Sequence, residues 1–108
     1  MSKYHNIKTE RDGFLFDSRA EARRYDELKL LEANGYIKDL VLHPSWKMIV
    51  NGFTIGRYTA DFKYNDNEKQ GEVVEDVKGR HATKTEAYGL RKRLMKALFN
   101  IDIVEVGA

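Results

Sequence analysis

The stretch Glu72-Val73-Val74-Glu75-Asp76-Val77-Lys78-Gly79 decides how this chain is arranged. Apolar and charged side chains interleave over Glu72–Lys78, as in a half-buried strand, and Gly79 breaks the pattern. Thr83 through Glu86 then has the spacing of a capping box and predicts a helix to about Phe99. Ile101-Asp102-Ile103-Val104-Glu105-Val106 closes the chain as a strand. A strand reached across a helix is normally parallel to its neighbour, so the sheet should be mixed.

Working back from Glu72, Asn65–Gly71 is polar turn material and Phe53–Tyr64 reads as one long strand. Asn51-Gly52 is a hairpin signal between that strand and Trp46–Val50. Ile37–His43 is extended and leads into Pro44, the only proline. Ser18 and Glu21 have capping-box spacing, so a helix should run to about Asn34, with Gly35 as a left-handed cap. Asp12-Gly13 predicts a tight turn between Ile7–Arg11 and Phe14–Phe16. The order helix, strands, helix, strand gives an α/β class: a mixed β-sheet flanked by helices, with β hairpins attached.

A length of 108 residues fits one domain, residues 1–108, with 1–16 as an N-terminal arm and hairpin. Hydrophobic and charged residues at 42% and 33% are those of an ordinary globular domain. Without cysteine, neither a disulfide nor a cysteine-bearing zinc site can hold the fold. No apolar run approaches a membrane span, and Met1–Asn6 lacks the apolar stretch of a signal peptide, so a cytoplasmic protein is expected. No glycine-rich nucleotide loop is present, which argues against a nucleotide cofactor. Between Lys78 and Lys96 seven basic residues face one acid, Glu86, leaving the rest of the chain net acidic. Such a block suggests an anionic partner, although a solvated helix face gives the same pattern.

Alternate strand residues share a face, so Asp76 and Lys78 point the same way and Glu75 points opposite. They form either a surface ion pair or part of a binding site. In Arg57–Tyr64, the positions Tyr58, Ala60, Phe62 and Tyr64 make an apolar face, opposite Thr59, Asp61 and Lys63. Pairing across Asn65–Gly71 would bring Asp61 toward Asp76. Two adjacent carboxylates repel unless a cation sits between them, and Mg²⁺ suits such oxygens. The plain alternative is a solvated Asp61. Glu21 lies on the stripe Glu21, Tyr25, Leu28, Glu32, whose apolar members mark the core side, so its carboxylate should point inward as well as serve the cap.

Phe16-Asp17-Ser18-Arg19-Ala20-Glu21-Ala22, Tyr58-Thr59-Ala60-Asp61-Phe62 and Glu75-Asp76-Val77-Lys78-Gly79, in that order, resemble the PD-(D/E)xK nuclease superfamily. Within it, the chain is similar to small phage-associated proteins and phage junction-resolving endonucleases, over roughly residues 5–106. Ala60 stands where the name-giving proline would be, and Asp76 is the shorter of the two permitted acids.

The resemblance implies a restriction-endonuclease-like core and a metal-dependent DNA endonuclease. Asp61 and Asp76 match its acidic metal ligands, Glu21 its first-helix glutamate, Lys78 its catalytic lysine, and the Val77 carbonyl would complete the metal shell. The cofactor would be Mg²⁺, with Mn²⁺ as substitute, and the substrate duplex or branched DNA such as a Holliday junction. Arg80, His81, Lys84, Arg91, Lys92, Arg93 and Lys96 would bind phosphates, with Lys3, His5, Lys8 and Arg11 as a further arm. Ala87, Leu90, Leu94, Ala97 and Leu98 should be the core side of the second helix. His5, His43 and His81 lack zinc-pair spacing and read as surface or structural residues, His81 alone falling near the site. One site cuts one strand, so paired incisions would need a homodimer. The alternative is an inactive nucleic-acid-binding module of the same fold.

Overall fold

The computed structural model describes residues 7–78 and 85–107. In chain order these form β1 (Thr9–Arg11), β2 (Phe14–Phe16), α1 (Arg19–Ala33), β3 (Ile37–Leu42), β4 (Ser45–Val50) and β5 (Phe53–Thr59). They continue with β6 (Phe62–Asp66), β7 (Gly71–Lys78), α2 (Glu86–Phe99) and β8 (Ile103–Gly107). Asp12-Gly13 and Asn51-Gly52 take positive φ at both positions, 52° and 83°, then 49° and 82°. That backbone matches strand twist, and it closes the β1–β2 and β4–β5 hairpins.

Helix α1 starts where its sequence says it should. The Ser18 hydroxyl accepts from the Glu21 N–H at 3.1 Å, satisfying a donor with no intrahelical partner. At the other end Tyr36 N–H donates to the Leu31 carbonyl and Gly35 N–H to the Glu32 carbonyl, at 3.0 and 3.1 Å, with Gly35 at φ 80°. This is a Schellman ending, which needs a left-handed residue after the cap. Ser18→Ala should lower stability by about 1 kcal/mol in urea denaturation, and an unchanged midpoint would mean the hydroxyl contributes nothing.

The main sheet has the order β3-β6-β7-β8, antiparallel except for the β7–β8 pair. That pair is parallel, with α2 as its crossover, so the sheet is mixed as expected. Two core clusters form. Phe16, Ala22, Tyr25, Leu28, Ile37, Phe62 and Tyr64 make one around α1. Met48, Tyr58, Ala60, Val74, Tyr88, Met95 and Ile103 make the other, joining α2 to the base of the β4–β5 hairpin.

Those two clusters break the long strand expected over Phe53–Tyr64. It is two strands, β5 and β6, parted at Ala60-Asp61. An unbroken strand would send Tyr58, Ala60, Phe62 and Tyr64 into one layer. The break lets Tyr58 and Ala60 enter the α2 cluster while Phe62 and Tyr64 enter the α1 cluster.

Helix α2 also departs from its sequence reading. Its cap is Thr85, whose hydroxyl accepts from Tyr88 N–H at 3.1 Å; Thr83 lies outside the described residues. Its buried residues are Tyr88 and Met95, with Leu94 and Leu98 packed at the margin, whereas Ala87, Leu90 and Ala97 are exposed. The buried stripe lies one residue out of phase with the one expected, because Tyr88, a polar-tipped aromatic, and Met95 are the larger groups to bury. Among the described residues no helix is long and apolar enough to cross a membrane.

Candidate metal centre

Everything at the site follows from where β6 begins. The Glu75 carbonyl and Val77 N–H project from β7 on its β6 side, but β6 starts only at Phe62, opposite Glu75. Asp61 fills the gap twice. Its N–H donates to the Glu75 carbonyl at 3.0 Å, and its carboxylate Oδ2 accepts from Val77 N–H at 2.7 Å. The side chain thereby replaces a missing ladder acceptor, as a buried backbone donor requires.

Glu21 arrives from the first turn of α1 and is 5% exposed. His43 arrives from the end of β3, and its Nε2 lies 2.7 Å from Glu21 Oε1. Ligand atoms of Glu21, His43 and Asp61 all lie within 4.8 Å of one another. An ion with bonds of about 2.1 Å spans ligands up to about 4.2 Å apart, so small side-chain rotations would close this set on a cation. Two carboxylates and an imidazole suit Mn²⁺ and its neighbours as well as Mg²⁺.

The backbone around His43 is strained to hold it there. His43 has φ 51° although it precedes Pro44, a position that favours extended backbone. Such a conformation costs on the order of 1–3 kcal/mol and persists only when over-determined by its surroundings. Here His43 N–H donates to the Asp61 carbonyl and Ala60 N–H to the Pro44 carbonyl, both at 3.0 Å. His43 is a surface residue as expected, but the expectation that His81 alone falls near the site is corrected: His43 contacts Glu21 and neighbours Asp61. Its only sequence signal is its place beside the single proline, which cannot reveal what the ring faces.

Electrostatics mark the same spot. Burial, then the Glu21 charge, pushes the Asp61 carboxyl up to about 7, partly offset by the Val77 N–H. Burial likewise raises Glu21, with the His43 contact opposing it. Both acids are held where charge is costly and where a cation would relieve them.

Asp76 approaches Asp61 as expected, and both Asp76 and Lys78 also contact tyrosines. Asp76 is 6% exposed and its Oδ1 accepts from Asp61 N–H at 3.2 Å, so it sits immediately behind Asp61. Its Oδ2 accepts from the phenols of Tyr58 and, at 3.4 Å, Tyr88. Burial, reinforced by Asp76, keeps the Tyr58 phenol protonated far above its usual range. Lys78 stacks on Tyr88, its Nζ 3.7 Å from the ring centroid. Asp76 and Lys78 thus both face α2. Glu75 faces α1, where Arg24 grips it with bonds of 2.9 and 2.7 Å and the Tyr64 phenol adds a third. Glu21, His43 and Asp61 come together, with Asp76 adjoining and Lys78 beyond it.

Of the expected phosphate-binding residues, Arg80, His81 and Lys84 lie outside the described residues, as do Lys3 and His5. Arg91 and Arg93 are exposed on α2. Lys92 pairs with Glu105 at 3.3 Å and Lys96 with Asp102 at 2.9 Å, while Arg11 pairs with Asp26 at 3.1 Å.

Fold and site together define an α/β protein with a mixed sheet and a carboxylate–histidine cluster where β3 ends and β6 begins. The chain belongs to the DUF1064 family, described as a protein of unknown function, whose family model matches residues 1–104. No curated protein and no solved structure matches it.

Proposed function

We propose that this protein is a divalent-cation-dependent endonuclease that hydrolyses phosphodiester bonds in DNA. The observation that carries the reading is the meeting of Glu21, His43 and Asp61 from three separate elements, with both acids raised by burial. The motif order that resembles PD-(D/E)xK nucleases supports it independently.

A bound Mg²⁺ or Mn²⁺ would polarise the scissile phosphate and acidify the attacking water. Glu21, His43 and Asp61 hold that ion, and the Val77 carbonyl is the backbone ligand the resemblance adds. Asp76 fixes Asp61 through its N–H and supplies the second acidic side chain of the motif. Lys78 leaves the Tyr88 ring to place positive charge where negative charge grows in the transition state. Arg91 and Arg93, with Arg80, His81 and Lys84, bind flanking phosphates, which gives affinity without reading sequence. Branched DNA is the substrate the resemblance favours, with a homodimer needed for paired incisions, in the cytoplasm of a phage-infected host.

Lys78→Ala should abolish Mn²⁺-dependent cleavage of a labelled DNA set containing junction, flap, duplex and single strand, while the fold persists by circular dichroism. Full activity in that variant would end the assignment. One observation favours a second reading, a binding module without catalysis: Asp76 and Lys78 are both engaged by tyrosines. Wild-type protein that binds DNA but cuts none of the set with Mn²⁺ would establish that reading instead.

A further inference from the structure

We propose that the β4–β5 hairpin is a nucleic-acid-binding arm that guides the strand running away from the metal cluster. The inference rests on the proposed nuclease reading for the chemistry of its partner. The hairpin grows out of the site itself: His43 lies two residues before its first strand and Asp61 two residues after its second. The paired bonds from His43 N–H to the Asp61 carbonyl and from Ala60 N–H to the Pro44 carbonyl clamp its root. A phosphate held at the cluster would lie beside this root.

One face of the hairpin is occupied. Trp46, Met48 and Tyr58 turn into the α2 cluster. The opposite face carries Ser45 beside Thr59 and Lys47 beside Arg57. Like charges directly opposite each other destabilise a strand pair. Lys47 and Arg57 are exposed, and neither meets an acid among the described residues; Arg57 donates to the Ser45 hydroxyl at 3.0 Å. An anion lying between them turns that repulsion into attraction. Lys47 is the third residue of β4, so the cationic pair lies close to the clamped root.

Beyond the pair the arm ends in apolar groups. Phe53 is 73% exposed, opposite Val50 and past the reach of the core. An exposed ring at the end of a cationic track suits stacking on an unpaired base. A second copy of this chain is the rival occupant, but seated on the same face it would bring another Lys47 and Arg57 into the repulsion.

The test measures binding of the full chain to labelled single-stranded and duplex DNA by fluorescence anisotropy across a salt series, with chelator present to prevent cleavage. The double variant Lys47→Ala, Arg57→Ala should flatten the duplex salt dependence by about 1.8 in log–log slope, from two lost contacts at about 0.9 each. Phe53→Ser should weaken single-strand binding by about tenfold and duplex binding less. Thermal midpoints verify that the variants fold. A slope unchanged in the folded double variant overturns the arm, as does wild-type protein that binds no DNA. If Phe53→Ser instead converts a dimer to a monomer in sedimentation and leaves DNA binding intact, the hairpin is a chain–chain interface and the proposal fails. Cleavage is scored separately: salt-sensitive binding that depends on Lys47 and Arg57 supports the arm even if Mn²⁺ elicits no cutting, an outcome that defeats only the nuclease reading.

Discussion

If the proposed metal-dependent reading holds, Asp61→Asn should abolish divalent-cation binding at the Glu21–His43–Asp61 cluster and with it cleavage, yet leave the ion-free protein more stable at pH 8. Asparagine keeps an oxygen to accept the Val77 N–H, so the gap beside β7 stays filled. What it lacks is charge. The Asp61 carboxyl is raised from an ordinary value near 3.8 to about 7 by burial and by the Glu21 charge. A raised acid favours the fold while protonated. That advantage is complete below about pH 4 and is lost as pH climbs through about 7, leaving a buried charge without a counter-ion. Glu21 is shifted in the same direction and steepens the trend. Solvent reaches part of Asp61, so the gain for the variant at pH 8 is on the order of 2 kcal/mol rather than the full worth of the shift. At pH 4 the two proteins should differ little.

Urea denaturation at both pH values in chelator measures the stability claim, and calorimetry with Mn²⁺ measures the binding claim. In the wild type, saturating Mn²⁺ should flatten the fall in stability with pH, because the cation supplies the missing charge. Wild-type affinity for Mn²⁺ in the asparagine variant would show that the cluster is not a metal centre.

Arg24→Ala should cost about 3–5 kcal/mol, the largest stability loss expected of any single change here. Glu75 is 1% exposed and its carboxylate is held by both arms of the Arg24 guanidinium and by the Tyr64 phenol. Removing the arginine strands a buried anion, and a domain with about 5–15 kcal/mol in total has little margin for that. Arg24→Lys should recover only part of the loss, since an ammonium cannot reproduce the two-pronged grip. The double variant Arg24→Ala, Glu75→Gln should be more stable than Arg24→Ala alone, because no charge is then orphaned. Denaturation midpoints decide it; a loss under about 1 kcal/mol for Arg24→Ala would mean that Glu75 finds another partner.

Glu75 and Asp76 show how neighbouring acids on one strand acquire different work. Alternation sends them to opposite faces, so one ties α1 to the sheet while the other sits between Asp61 and two tyrosines. The face of each was legible in the sequence, from period alone. The partner was not: Arg24 lies 51 residues from Glu75, and nothing local to either names the other.

The same division runs through the whole protein. Features set by a few adjacent residues could be read directly. Ser18 and Gly35 bound α1, Asp12-Gly13 and Asn51-Gly52 turn the hairpins, and Glu21 points inward from the stripe it shares with Tyr25 and Leu28. The mixed sheet followed from a helix between its last two strands. Tertiary structure alone decided where Phe53–Tyr64 breaks, which face of α2 is buried, and that His43 joins Glu21 and Asp61. Each of those depends on two core clusters competing for the same alternating side chains, and on backbone groups of β7 left waiting for an acceptor. Local preference fixes the direction in which a side chain leaves its own element; what it meets is set by packing between segments far apart in the chain, where the burial free energy is larger than any single-residue propensity.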